Sequence, residues 1–382
     1  MKLIRGGKIF TGKKVMEKGE ILIGDDGKIK EIGKKVKVTK DVEVIDVKDA
    51  WITPGLIDAH CHVGMWEEGI GIEGADGNES TSPVTPHLRA IDGINPVDLG
   101  FRDALKGGVT AVMTGPGSAN VIGGLSLIMW TGGSRIVDEL VIKNPAGLKM
   151  ALGENPKRVY MEQKKMPTTR MGSAALIREA FYQAKEYMEK KKKKKGKVGF
   201  NLKNEALALV LQRKIKARAH AHRADDIATF VRIRDEFGFD LVIEHGTEAH
   251  LIADYLAKKK VPVVVGPSLS ARVKVELKEI TFDTPRILRE HGVEIAIMTD
   301  APVIPVNYLR LMVGLSIKHG LPWDEGLKAV TISAARICGV DKVTGSLEKG
   351  KYADIAIWDG DPFDIHSNAI MTLVKGEVLY RA

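Results

Sequence analysis

The 382-residue chain contains only two cysteines, Cys61 and Cys338. That leaves no room for a disulfide framework and suits a reducing compartment. No run approaches the roughly 18 consecutive apolar residues of a membrane span. The amino end, Met1-Lys2-Leu3-Ile4-Arg5-Gly6-Gly7, lacks the longer apolar core of a signal peptide, so the expected location is cytoplasmic. Aromatic residues make up 5% of the chain and do not interleave with basic ones. This bears on the net charge of +9, because basic patches attract phosphates. Much of that excess is one tract, Lys190 to Lys195, at the end of a helix expected to begin near Ser173. Lysines there complement the helix dipole and stay solvated. Gly115-Pro116-Gly117-Ser118 lacks the Gly-Lys-Ser/Thr ending of a phosphate loop. The expected partner is therefore a small-molecule substrate rather than nucleic acid or a membrane.

With 44% hydrophobic residues the chain can bury a large core. Residues 1–50 read as short strands separated by turns such as Thr11-Gly12 and Asp25-Asp26-Gly27. The last segment, from Gly345 onward, has the same texture. A composite β-sandwich domain is expected from residues 1–53 and 345–382. Between them, residues 54–344 alternate apolar runs ("GVTAVMTG", "LKMAL", "IKARAHAH", "DLVIEHG", "VPVVVG", "VEIAIMTD") with helical patterns such as residues 224–238 and 248–260. Strand–helix repetition predicts a parallel sheet. The span is near the roughly 250 residues of a (β/α)8 TIM barrel, with a doubly wound sheet as the competitor. Between Gly115 and Gly147, "SLIMW" and "ELVIK" both read as strands.

In a barrel the active site collects at the C-terminal strand ends. His60 and His62 end the first run, His220 and His222 end "RAHAH", His245 ends "VIEH" and Asp300 ends "IMTD". Five of the ten histidines thus stand at three strand ends. Neutral imidazoles suit zinc, iron or manganese. Water bound to such a metal titrates near ~7, and a carboxylate such as Asp300 can take its proton and pass it on. Lys149, inside "GLKMALGENP", is an awkward neighbour for a cation unless CO2 has converted it to an anionic carbamate; otherwise it is a salt-bridged barrel residue.

The motifs "PGLIDAHCH", "GVTAV", "AHAH", "IEHG", "TDAP" and "GSLEKGKYADIAIWDGDP" together resemble the amidohydrolase superfamily, in its imidazolonepropionase-like and prolidase-like branch. The resemblance implies a (β/α)8 barrel with a β-sandwich built from both chain ends, homo-oligomers, and metal-dependent hydrolysis of C–N bonds. It assigns His60, His62, His220, His245 and Asp300 as ligands of one or two divalent metals, zinc with iron or manganese as substitutes, and Asp300 and His245 as catalytic groups. It assigns Lys149 as a bridging carbamate. The continuation "LGENP" departs from the family pattern and leaves Glu154 as a rival carboxylate, or a single-metal site held by His60, His62, His220 and Asp300. His222 is then a substrate contact or a replacement for His220. Heterocycle deamination is the alternative reaction, although Arg223 stands where deaminases carry a glutamate; a non-catalytic scaffold is the third reading.

The glycine-rich loop at residues 64–83 is expected to act as a lid. Arg89, Arg170, Arg223 and Arg272 are candidates to clamp a substrate carboxylate, Arg223 foremost because it follows the histidine pair. Cys61 is expected to pack away from the metal face.

Overall fold

A computed structural model describes residues 1–38, 41–193 and 198–382. Its central sheet has eight strands in chain order: β1 (Leu56–Cys61), β2 (Val109–Thr114), β3 (Ile122–Trp130), β4 (Val141–Ala151), β5 (Lys216–Ala221), β6 (Leu241–His245), β7 (Val263–Val265) and β8 (Ile295–Ile297). The sheet curls until its first and last strands meet. His62 N–H donates to Ala301 O at 2.8 Å, and Thr299 N–H donates to the Asp58 carboxylate at 3.2 Å. This is the expected barrel with one departure.

β3 runs antiparallel to both β2 and β4. The cause is connection length. Only residues 115–121 separate β2 from β3, and a parallel return needs a crossover of about a dozen residues or more. The two ambiguous segments are indeed both strands: "SLIMW" lies in β3, and "ELVIK" ends in β4 after one short helical turn at Val137–Leu140. Elsewhere strands alternate with helices such as Arg170–Lys193, Ala224–Phe237 and Thr284–Glu290. The lysine tract ends the first of these; Lys194 and Lys195 lie outside the described residues.

Alternation along the strands sorts side chains into two layers. Outward residues such as Leu148, Met150, Ala217, Ala219 and Ile243 join the large core under the helices. Inward residues Ala111, Met113, Val242, Val264, Ala296 and Met298 form an aliphatic plug with Ala334, Ala335 and Ile337 of the helix Ile332–Cys338. Lys216, at the start of β5, donates to Arg336 O and Ile337 O at 3.3 and 3.0 Å, so this helix closes the N-terminal mouth with its exposed carbonyls capped by a cation. The opposite mouth is left to the polar residues.

The chain ends form two further sheets. One joins Ile29–Gly33, Glu20–Ile23, Lys2–Arg5 and Glu43–Asp46; the other joins Glu377–Arg381, Ala369–Val374, Ile355–Trp358, Trp51–Pro54, Lys8–Phe10 and Val15–Met16. Ile4, Ile21 and Ile45 from the first meet Ile52, Ile357 and Leu373 from the second in one buried aliphatic cluster. Among the described residues, no helix is long and apolar enough to cross a membrane.

Candidate active site

Going up the barrel interior from the aliphatic plug, the next layer is ionic. Arg218 of β5 and Lys149 of β4 are register neighbours, each with at most 2% of its surface exposed. Both donate to Glu244 of β6: Lys149 Nζ at 2.5 Å to Oε2 and Arg218 Nε at 2.8 Å to Oε1. Arg218 also donates to Ala59 O. A buried carboxylate between two cations is held only because each charge is compensated.

Above this layer lie the imidazoles. Strict alternation turns His245 outward, since Val242 and Glu244 point in. Its backbone, however, has φ 73°, the left-handed region that few non-glycine residues adopt, and the ring swings back to within 4.3 Å of His220, measured between centroids. Asp300, three residues past β8, has φ 56° and is likewise turned toward the barrel axis. Two groups result, His220–His222–His245 and His60–His245–Asp300, each with potential ligand atoms within 4.8 Å of one another.

Hydrogen bonds at the rear fix the tautomers. His62 Nδ1–H donates to Gly115 O at 2.7 Å, and His245 Nδ1–H donates to Gly266 O at 3.0 Å. In the neutral ring, His62 Nε2 is therefore an acceptor, yet it faces Asp300 Oδ1 at 3.2 Å, another acceptor. His60 lies with Nδ1 3.2 Å from Glu244 Oε1 and Nε2 3.3 Å from the same Asp300 oxygen, with Lys149 Nζ at 3.1 Å from Nε2. Both nitrogens of buried His220 lack a hydrogen-bond partner among the described residues. Unpartnered acceptors converging on a carboxylate are costly unless a cation lies among them.

Burial is the largest influence on these rings. It holds His220 and His245 far below the usual imidazole range and His62 below it, and it carries His222 down to about 3 with help from the Lys274 charge. His60 is the exception: burial opposes its proton most strongly and Lys149 adds to that, but Glu244 and Asp300 together outweigh them and raise it. Burial also opposes the charge of Asp300; nearby His245 and the contacts from His60 and His62 overcome it and keep the carboxyl well below its ordinary value. His62, His220, His222 and His245 are thus neutral imidazole donors beside an ionised carboxylate, a hard-to-borderline donor set that fits zinc, iron or manganese.

A cavity of about 400 Å³ opens over the cluster, bounded by His62, His220, His222, His245, Lys149 and Asp300 at its floor. Its walls are largely apolar, with Trp66, Pro267, Val273 and Leu277. Trp66 comes from the loop expected as a lid and meets His62 edge-on at 4.5 Å between centroids. Gly77 and Gly117 allow it in, since a Cβ at either would stand 2.4 or 2.3 Å from the indole. The loop is anchored by Gly117 N–H to Gly77 O at 2.8 Å and by Asn120 Nδ2, which donates to Glu79 O and Ser82 O.

Other sequence candidates fall elsewhere. Glu154 is outside both ligand groups; its Oε1 accepts from Glu276 N–H at 3.2 Å while Glu276 Oε2 accepts from Glu154 N–H at 3.0 Å. Arg223 forms a two-pronged pair with Asp225, 2.9 Å at each contact, and Arg89 does the same with Asp92. Arg170 binds Asp226, and Arg272 binds the carbonyls of Lys278 and Ile280. None of the four lines the cavity. Cys61 is fully buried in the apolar layer outside the barrel, as alternation predicts. Glu244, Arg218 and Lys274 were not singled out by the sequence. The first two were legible in principle, since Arg218 shares the face of His220 and Glu244 that of Val242.

Residues 51–379 match the sequence profile described as the Amidohydrolase family. The crystal structure of an amidohydrolase from Thermotoga maritima superposes with a TM-score of 0.97 at 45% identity, over 100% of both chains. An amidohydrolase of Hapsidospora irregularis is 28% identical over 94% of this chain, which spans only 39% of that relative's length. An imidazolonepropionase of a Bradyrhizobium species is 25% identical over 91% of this chain and 89% of its own.

Proposed function

The chain belongs to the amidohydrolase family, and from that membership we propose that it is a metal-dependent hydrolase cleaving the C–N bond of a small amide, cyclic amide or dipeptide-like substrate. The observation that carries this reading is the acceptor-on-acceptor contact of His62 Nε2 with Asp300 Oδ1, beside a His220 whose two nitrogens have no partner among the described residues. His60, His62, His220, His245 and Asp300 would hold the metal, with His222 completing the second group. A divalent ion there would supply a Lewis acid and acidify a water at neutral pH.

The protein's own part follows from the geometry. Asp300, 14% exposed at its side chain and otherwise sunk in the cluster, reaches the cavity floor as an ionised carboxylate. Its oxygen can accept a proton from the attacking water and return it to the leaving nitrogen. Gly115 O and Gly266 O fix the rings of His62 and His245, so these side chains do not rotate during the reaction. Trp66 and the apolar walls restrict water around the scissile bond. The cavity volume suits a substrate of small-molecule size. The Bradyrhizobium relative's name favours a cyclic amide among the options.

Lys149 separates a one-metal from a two-metal site. As an ammonium it compensates Glu244; as a carbamate it would add an anionic oxygen beside His60. Intact-protein mass spectrometry together with metal analysis distinguishes one ion with an unmodified lysine from two with a 44-dalton adduct, roughly the mass of one CO2. The hydrolase reading is tested by screening acylated amino acids, dipeptides and cyclic amides with zinc-, iron- or manganese-loaded protein; no turnover on any of them would sink it.

A further inference from the structure

The rings at the barrel mouth differ in what stands behind them. His62 and His245 each have a backbone carbonyl at the rear; a carbonyl only accepts, so Nδ1 carries the hydrogen and Nε2 is left as a forward-facing lone pair. His222 has a hydroxyl instead, with its Nδ1 2.8 Å from Thr247 Oγ1. A hydroxyl both donates and accepts. If Thr247 donates, the ring hydrogen moves to Nε2, where Glu276 Oε1 is 3.8 Å away, beyond a hydrogen bond, and already accepts from Lys274 Nζ at 3.1 Å. If Thr247 accepts, Nε2 is a lone pair among the lone pairs of the cluster. The first arrangement strands a buried donor, and the second suits a cation.

Thr247 is held in place by the turn that also swings His245 inward. His245 at φ 73° and Gly246 at φ 56° are consecutive left-handed residues, and a Cβ at Gly246 would stand 2.7 Å from Val263 Cγ1. Their turn folds the chain back over the end of β5. Gly246 N–H donates to Ala221 O at 3.0 Å, and Glu248 N–H donates to His222 O at 2.8 Å. Glu248 Oε2 accepts from Ala224 N–H at 2.9 Å, at the start of the helix Ala224–Phe237. His222 is thereby gripped at its ring by residue 247 and at its backbone by residue 248. Behind Thr247 lies a pocket of about 10 Å³ that Ser268, Thr281 and Thr284 also line. It has about the room of one water and polar walls, so the Thr247 hydroxyl hydrogen can turn there while Oγ1 accepts from the ring.

We propose that Thr247 is a positioning residue: its Oγ1 accepts from His222 Nδ1–H and holds Nε2 as a metal ligand in the group His220–His222–His245. The inference rests on the metal-dependent reading above, and adds that the place of His222 in the ligand set depends on one hydroxyl. Removing the partner behind a ligating imidazole costs about 10- to 100-fold in metal affinity. Valine matches threonine in shape and cannot accept from the ring, whereas serine keeps the hydroxyl and loses only a methyl group. The two substitutions therefore separate the hydrogen bond from the packing.

The test is zinc affinity of the full chain, measured by competition with a chromophoric chelator and independent of turnover, with each bound ion read separately. His222→Ala should weaken one ion, and Thr247→Val should weaken the same ion by about 10- to 100-fold. Thr247→Ser should stay close to the wild type. In the His222→Ala background Thr247→Val should add nothing, because the two residues act as a unit. The chelated variants should still unfold cooperatively, near the wild-type thermal midpoint. Wild-type affinity in Thr247→Val overturns the assignment alone and leaves the metal reading standing. So does a loss that Thr247→Ser shares in full, a loss that persists in the His222→Ala background, or a Thr247→Val chain that does not fold without metal. A wild type that binds no zinc overturns the metal reading and the assignment together.

Discussion

The cluster shared by the two terminal sheets and the cluster at the barrel mouth are built from opposite materials. Between the sheets, Ile4, Ile21, Ile52, Ile357 and Leu373 pack at 0% exposure, without a charge among them. At the mouth, five histidines, Lys149, Glu244 and Asp300 crowd together, and two of these residues sit on left-handed backbone. Burying aliphatic side chains stabilises a fold by about 1.5–3 kcal/mol each. Gathering imidazoles around a carboxylate with unmet acceptors does not. The difference teaches which region carries stability and which is tolerated at a stability cost.

Mutations can break this contrast, and the largest effect belongs at the mouth. Asp300→Asn and His220→Ala should each lower kcat/KM by on the order of 10³-fold or more, with the thermal midpoint unchanged or raised; a large drop in the midpoint would make these residues structural. Glu244→Gln is the intermediate case, because it leaves buried Lys149 and Arg218 uncompensated. It should cost about 3–5 kcal/mol of stability by denaturant titration, and activity with it. Ile357→Ala should lose about 2–5 kcal/mol through its cavity while keeping kcat/KM per folded molecule. A changed KM there would tie the sandwich to the site. Smallest is Arg223→Ala: its pair with Asp225 is partly exposed and should be worth under about 1 kcal/mol. Activity should not move; a selective loss on substrates with a free carboxylate would bring Arg223 into the substrate site.

Much of this contrast was legible in the sequence, because strand periodicity and strand-end chemistry are local signals. His60, His62, His220, His222 and Asp300 reach the mouth from the ends of runs visible as apolar stretches. His245 arrives there too, but by a route that periodicity does not contain, since it needs φ 73° to escape the outer face. The direction of β3 was hidden until its ends fixed the connection at residues 115–121. Arg223 and Arg89 looked free although acids stood two and three residues on, at Asp225 and Asp92. Lys274 gave no signal at all: it lies in an irregular segment, and its position depends on Asn155 and Glu276, which tertiary structure brings to it.

The central claim is that the unmet acceptors at the mouth serve a divalent metal on which hydrolysis depends. Elemental analysis of the protein before and after exhaustive chelation, paired with the rate of amide hydrolysis at each metal content, tests it most directly. The account predicts one or two ions per chain as isolated, activity that falls in proportion as they are stripped, and recovery when zinc, iron or manganese is returned. Full activity in protein from which all metal has been removed would contradict it.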